Sequence, residues 1–265
     1  LMIKAVVLGL SWQLAATWKL LDQIEALLDD GNERALRSIA PHDLPVLRGI
    51  IATLRGQEAY RRGQEAYGRG QADRAIAYSE EALALLPNRW RYVRGIAVLY
   101  WGLGMQATGR GEAAQRILID EYAGLLEKTD TYALRLLFTA CFNAIEAGHL
   151  EQARLLAQAM LDHATASRMP HAAGFSHYFL GVVHYYWNEL DAAKQHFEEL
   201  IAKLQTYPPH FRVEAARIDH SGETEDRVAD IVDVVNYNYV NHKIVSIDLA
   251  GELEEAWQGH TQRAA

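Results

Sequence analysis

The chain has 265 residues, half of them apolar, with a formal net charge of −8 and a pI near 5.8. That acidic balance argues against a nucleic-acid surface, which needs Lys and Arg in excess on one face. The single cysteine, Cys141, cannot close an internal disulfide, and a reducing, cytoplasmic setting is expected. The opening run LMIKAVVLGL is too short for a membrane span and lacks the basic front and small-residue cleavage site of a secretion signal, so no membrane partner is expected.

In chain order, Leu10, Leu14, Leu21 and Leu28 fall on one helical stripe, with Trp18 beside it, and Asp29-Asp30-Gly31-Asn32 ends the helix. A short helix over 33–39 is expected next, stopped by Pro41, so residues 1–43 read as an N-terminal helical cap or imperfect repeat. Asp43 before Leu44-Pro45 is a helix start. From there LPVLRGIIATLRGQEAYRRG leads into a unit that closes at Pro87-Asn88. Helices are expected over 90–107 and 113–126, then over 132–146, with Asp130 as its cap, and over 150–166. After a break at Arg168-Met169-Pro170, residues 174–200 read as two helices separated at Trp187-Asn188. Residues 44–210 thus hold four helical hairpins.

The tail, 211–265, differs. Ser221-Gly222-Glu223-Thr224 is a polar linker; Val228, Ile231, Val232 and Val235 have helix spacing; YNYVNHKIVSIDL is rich in β-branched and aromatic residues; and 252–258 returns to helix. A degenerate fifth helical hairpin is the favoured reading, and a cap made of two strands is the competing one.

The hairpins repeat. Anchored on the turn residues Gly70, Gly111, Gly148 and Asn188, they are 41, 37 and 40 residues apart. Seven residues before each turn stands Gly63, Gly104, Cys141 or Gly181, all small; five after it stands Ala75, Arg116, Ala153 or Ala193, and only Arg116 is large. Ala193, Phe197 and Leu200, spaced i, i+4, i+7, share a helix face, and Leu180-Gly181 gives a neighbouring helix room to approach. The order Leu-Gly, aromatic, turn, Ala, Phe, Pro resembles a tetratricopeptide repeat (TPR). The resemblance implies an all-α, TPR-type α-solenoid, a right-handed superhelix with a period of about 40, in which each hairpin buries its apolar face on the next.

In such a hairpin the first helix lines the concave groove. Projecting the register gives a candidate ligand- or partner-binding set of Tyr60, Arg61, Gln64, Tyr67, Trp101, Met105, Arg135, Phe138, Phe142, Tyr178 and Tyr185, with Gln57, Ile145, Phe175, Val182 and Tyr186 beside them. Rings stack on apolar faces and Arg or Gln hold oxygens, a combination that suits a sugar or a peptide. For any single ring, packing against the next repeat is the competing role.

Catalytic patterns are sparse. His177 and His184, seven apart, share a helix face, but no HExxH occurs and packing between helices is expected of them. The pairs Glu80-Glu81, Glu198-Glu199 and Glu254-Glu255 diverge around their helix axes and read as solvated faces. No phosphate loop and no nucleophile elbow appears. A tail-borne activity around Asp219, His220, Asp230, Asp233 and Asp248 is the weakest reading. Neither an enzyme nor a bound cofactor or metal is expected.

The stretches LPVLRGIIATLRGQEAYRRGQ, AYSEEALALLP, YVRGIAVLYWGLGMQATGRGEAAQ, EAGHLEQARLLAQ and HYFLGVVHYYWNELDAAKQHF, between 44 and 207, resemble the sensor region of MalT-like regulators, which are large bacterial LuxR-family transcription activators. In that family an ATP-binding signalling domain and a winged-helix linker precede the helical sensor, and a DNA-binding helix-turn-helix follows it. The sensor binds an inducer or an inhibitory partner. This sequence has no phosphate loop and its tail no recognisable DNA-binding helix pair. The resemblance therefore implies the sensor piece alone: a module that meets a small-molecule inducer (a sugar is one class), a protein or peptide, and the other domains of its regulator, without touching nucleic acid itself. A plain adaptor that binds a partner peptide or helix, with no small-molecule sensing, is the alternative.

Overall fold

The computed structural model describes residues 14–29, 43–66, 69–125 and 130–205, all of whose regular elements are α-helices. They are α1 (Leu14–Asp29), α2 (Leu44–Ala66), α3 (Arg69–Leu85), α4 (Arg91–Ala107), α5 (Gly111–Gly124), α6 (Thr131–Glu146), α7 (Leu150–Ala166), α8 (Pro170–Tyr186) and α9 (Leu190–Gln205). The helix expected over 33–39 and both readings of the tail lie outside the described residues.

The helix ends follow from the sequence. Asp130 caps α6 by accepting the Ala133 N–H at 2.8 Å, and Pro170 opens α8, where its missing N–H costs nothing. The turns of the last three hairpins each pass through one left-handed residue: Gly109 (φ 78°), Gly148 (φ 74°) and Asn188 (φ 60°). The next residue donates back across the helix end, His149 N to Ala144 O at 2.8 Å and Glu189 N to His184 O at 2.9 Å, which satisfies otherwise orphaned carbonyls.

These turns correct the register read from the sequence. Gly111 is not the turn residue but the first residue of α5; the left-handed position is Gly109, two residues earlier. Gly70, the second residue of α3, keeps its phase, since Ala75 five residues after it remains the repeat's small residue. The small residue after each turn is then Ala75, Ala114, Ala153 or Ala193, which are 39, 39 and 40 apart and all 0 % exposed. Arg116 is no exception to the repeat, because it never occupied that slot. The unequal spacings of 41 and 37 came from anchoring on the wrong glycine of Gly109-Arg110-Gly111.

The same phase governs packing. Four residues beyond each alanine stand Ser79, Leu118, Ala157 and Phe197, all buried. The paired slot on the first helix holds Gly102, Cys141 and Gly181 in the last three hairpins. Volume trades across it: Phe197 faces Gly181, where an added Cβ would sit 2.6 Å from the ring, while Cys141 is matched with Ala157. One apolar cluster runs from Ala59 and Tyr60 of α2 through α4, α6 and α8 to Leu200 of α9, and a second joins α1 to α2, α3 and α4. Each first helix packs on the next (α2 on α4, α4 on α6, α6 on α8), and among the described residues no comparable contact links the second helices. The first helices therefore form the inner layer of the stack.

Candidate functional site

Along that inner layer the chain forms a shallow cleft whose enclosed volume is only about 30 Å³, so a ligand there would lie against its open side rather than inside a closed pocket. Tyr92 of α4, Thr131, Leu134, Arg135 and Phe138 of α6, and Ala172 and Phe175 of α8 line it, with Met160 of α7 and Met169 closing one side. Three successive first helices thus contribute to one concavity.

Packing fixes its geometry. Phe138 is wedged edge-on against Phe175 and Phe179, with ring centroids 5.1 and 5.0 Å away, the arrangement aromatic quadrupoles favour. The stem of Arg135 lies over Gly95, where an added Cβ would meet Arg135 Cγ at 2.9 Å, and its guanidinium carbon stands 5.9 Å from the Phe138 ring centre. A bare glycine on α4 thus makes room for the cation of α6. Beside the cleft, Arg91 pairs with Asp130 and sits 4.5 Å over the Tyr132 ring, while Tyr132 donates to Glu121. Burial holds the Tyr132 and Tyr178 hydroxyls well above the usual phenol range, and the Glu121 carboxylate raises Tyr132 further. Burial pushes Tyr100 up to about 12, against the opposing effects of its Gln57 hydrogen bond and of Arg61 and Arg135. At neutral pH these phenols stay protonated. The cleft can offer a guanidinium to ligand oxygens and ring faces to an apolar surface.

Of the eleven candidate residues, Arg135 and Phe138 line this cleft. Phe138 is only 1 % exposed, so it forms floor rather than an open platform. Tyr60, Trp101, Met105 and Tyr178 are buried: Tyr60 packs against Tyr100, Tyr178 against Phe179, and Trp101 donates to Glu80 at 3.3 Å. Phe142 and Tyr185 are half-buried against the core, and Arg61 is half-buried. Gln64 belongs to α2, and Tyr67 lies outside the described residues. The rings expected along the groove therefore divide between cleft and core.

Missing from that projection were Tyr92, Thr131, Leu134, Met160, Met169 and Ala172. Tyr92 and Thr131 are 39 residues apart, at matching places near the starts of first helices, and the corrected repeat phase would have aligned them. Met160 and Met169 belong to a second helix and to the connection after it, where a projection along first helices does not look. His177 and His184 pack against His196 of α9: the His177 and His196 Nδ1 atoms are 3.1 Å apart, and His184 stacks on His196 at 5.3 Å. Among the described residues no three His, Cys, Asp or Glu side chains come together in a way that could hold a metal ion. Among the same residues no helix is long and apolar enough to cross a membrane.

Stacked helical hairpins with first helices inside and a buried alanine at a fixed phase define a TPR-type α-solenoid. Residues 56–218 match the family described as the MalT-like TPR region, more than half of the chain, and the protein belongs to that family. No curated protein and no solved structure matches it.

Proposed function

We propose that this chain is the sensor segment of a MalT-like, LuxR-family bacterial transcription regulator, binding an inducer or partner along the inner face of the stack. The observation that supports this most is the shared cleft: one ligand there would touch α4, α6 and α8 together. A ligand that binds one mutual arrangement of those helices more tightly than another shifts the population toward it. Other domains of the same regulator would read the change in curvature. Arg135 would hold ligand oxygens, and Tyr92 and Phe175 would pack against its apolar face, chemistry that suits a sugar or a short peptide. DNA contact would fall to a separate domain.

Calorimetry of the chain against a panel of sugars and small metabolites tests this, with R135A as the variant and circular dichroism as the control for folding. Saturable heat that R135A abolishes supports sensing. Silence across the panel, with a protein captured in pull-down, would replace sensing by the adaptor reading, in which the same face holds a partner's peptide or helix.

A further inference from the structure

A second concavity, of about 270 Å³, opens at the edge of the stack between the second and third hairpins. Gln115 of α5 and Asn143 of α6 both line it, 7 % and 2 % exposed. Neither the nitrogen nor the oxygen of either amide has a hydrogen-bond partner among the described residues. Burying such groups unpaired costs stability, so native chains seldom tolerate it without a use.

The repeat shows that the fold does not require them. Gln115 follows Ala114 as Ile76 follows Ala75, and Asn143 stands two residues beyond Cys141 as Gly104 stands beyond Gly102 and Val183 beyond Gly181. At the junction of the first and second hairpins these positions are apolar and touch, for a Cβ on Gly104 would lie 2.9 Å from Ile76 Cγ1. At the junction of the third and fourth, Val183 is fully buried. Only between the second and third hairpins do both positions carry a carboxamide.

We propose that this edge pocket is a binding site for an amide group, distinct from the inner cleft. Two carboxamides present two NH₂ groups, with four N–H donors between them, and two acceptor oxygens, with no net charge, and the mouth carries both Glu112 and Arg116, so neither an anion nor a cation is favoured. A planar amide carries both an N–H donor and a carbonyl acceptor to complement them, while Ile119 and Ala144 supply apolar wall for its substituents. The amide comes either from a small carboxamide or from the main chain of a partner peptide.

The test titrates the full ¹⁵N-labelled chain with acetamide in one arm and with N-acetyl-triglycine amide in the other, following the side-chain NH₂ resonances of Gln115 and Asn143. Saturable shifts of both resonances are expected, stronger with the peptide if a partner's main chain is the source and equal per amide if a small carboxamide is. The Q115L/N143L variant, which restores the apolar pairing of the neighbouring junction, is expected to keep or raise the melting temperature. In that variant the remaining backbone resonances around the pocket no longer respond to either probe. R135A, at the inner cleft, leaves the response intact, so failure here and failure of the sensing reading are separable. Unmoved resonances in both arms, an equal response in Q115L/N143L, or a crystal structure in which only ordered water bridges the two amides overturns the proposal.

Discussion

Two glycines of α8 look alike in sequence and are expected to respond oppositely to alanine. Both sit in the interior of the helix, where Gly→Ala gains about 1 kcal/mol of helix propensity. At Gly174 the new methyl would lie 3.5 Å from Leu200 Cδ1 and Lys203 Cβ, ordinary contact, so G174A is expected to stabilise by about 0.5–1 kcal/mol. At Gly181 it would lie 2.6, 2.8 and 2.9 Å from three carbons of the Phe197 ring. That ring is 0 % exposed and has nowhere to go. Overpacking of this kind costs about 1–3 kcal/mol, and three contacts at once put it in the upper part of that range. The propensity gain is outweighed, leaving a net loss of about 1–2 kcal/mol for G181A. Thermal unfolding reads both signs, at about 2–4 °C per kcal/mol for a chain of this size. F197L, which shortens the clashing ring, should recover most of the G181A loss, giving a coupling of about 1 kcal/mol in the double-mutant cycle. If G181A melts at or above the wild-type temperature, or if its effect simply adds to that of F197L, the proposed fit of Phe197 into a glycine slot is wrong.

The histidine cluster on the last described hairpin should make stability pH-dependent. His177 and His196 share one hydrogen bond between Nδ1 atoms, so one ring donates and the other accepts, with no place there for a second proton. Burial first, then the neighbouring His177 and His184, hold His196 down to about 4, and Glu199 opposes them; Lys203 faces His177, and Glu189 bonds His184. Because the unfolded chain takes up a proton near pH 6.5 that the native cluster refuses until about 4, stability should fall as pH drops through that window. Melting temperatures measured across the window should show this slope, and H196Q should flatten it; an unchanged slope in H196Q would assign the effect elsewhere. Asp130 both caps α6 and pairs with Arg91 of α4. Thus D130A should cost about 1–2 kcal/mol in chemical unfolding, while D130N, which keeps a capping oxygen, should cost less than half of that.

The helices and their hairpin pairing were legible because they rest on local physics. The apolar spacing of Ala193, Phe197 and Leu200 named a buried face, and Asp130, Pro170 and Gly148 named helix ends, each through a preference of the residue itself. The phase of the second hairpin was not legible from one turn. Gly109 and Gly111 are equally permissive, and only burial of Ala114 shows which of them turns the chain.

The candidate groove shows the same division. A helical projection places Tyr60, Trp101, Arg135 and Phe138 on first helices, and it cannot say which of them the next repeat covers. Tyr60 and Trp101 vanish into the core, while Arg135 reaches the cleft because Gly95, forty residues earlier in the chain, leaves room for its stem. The sequence by itself determined a stack of hairpins, since helix formation and turn geometry depend on residues a few positions apart. Only the tertiary structure decided which rings are floor, which glycine faces Phe197, and which two buried amides line one pocket without partners, because those outcomes depend on distances between residues on different helices, and these exist only once the helices have packed.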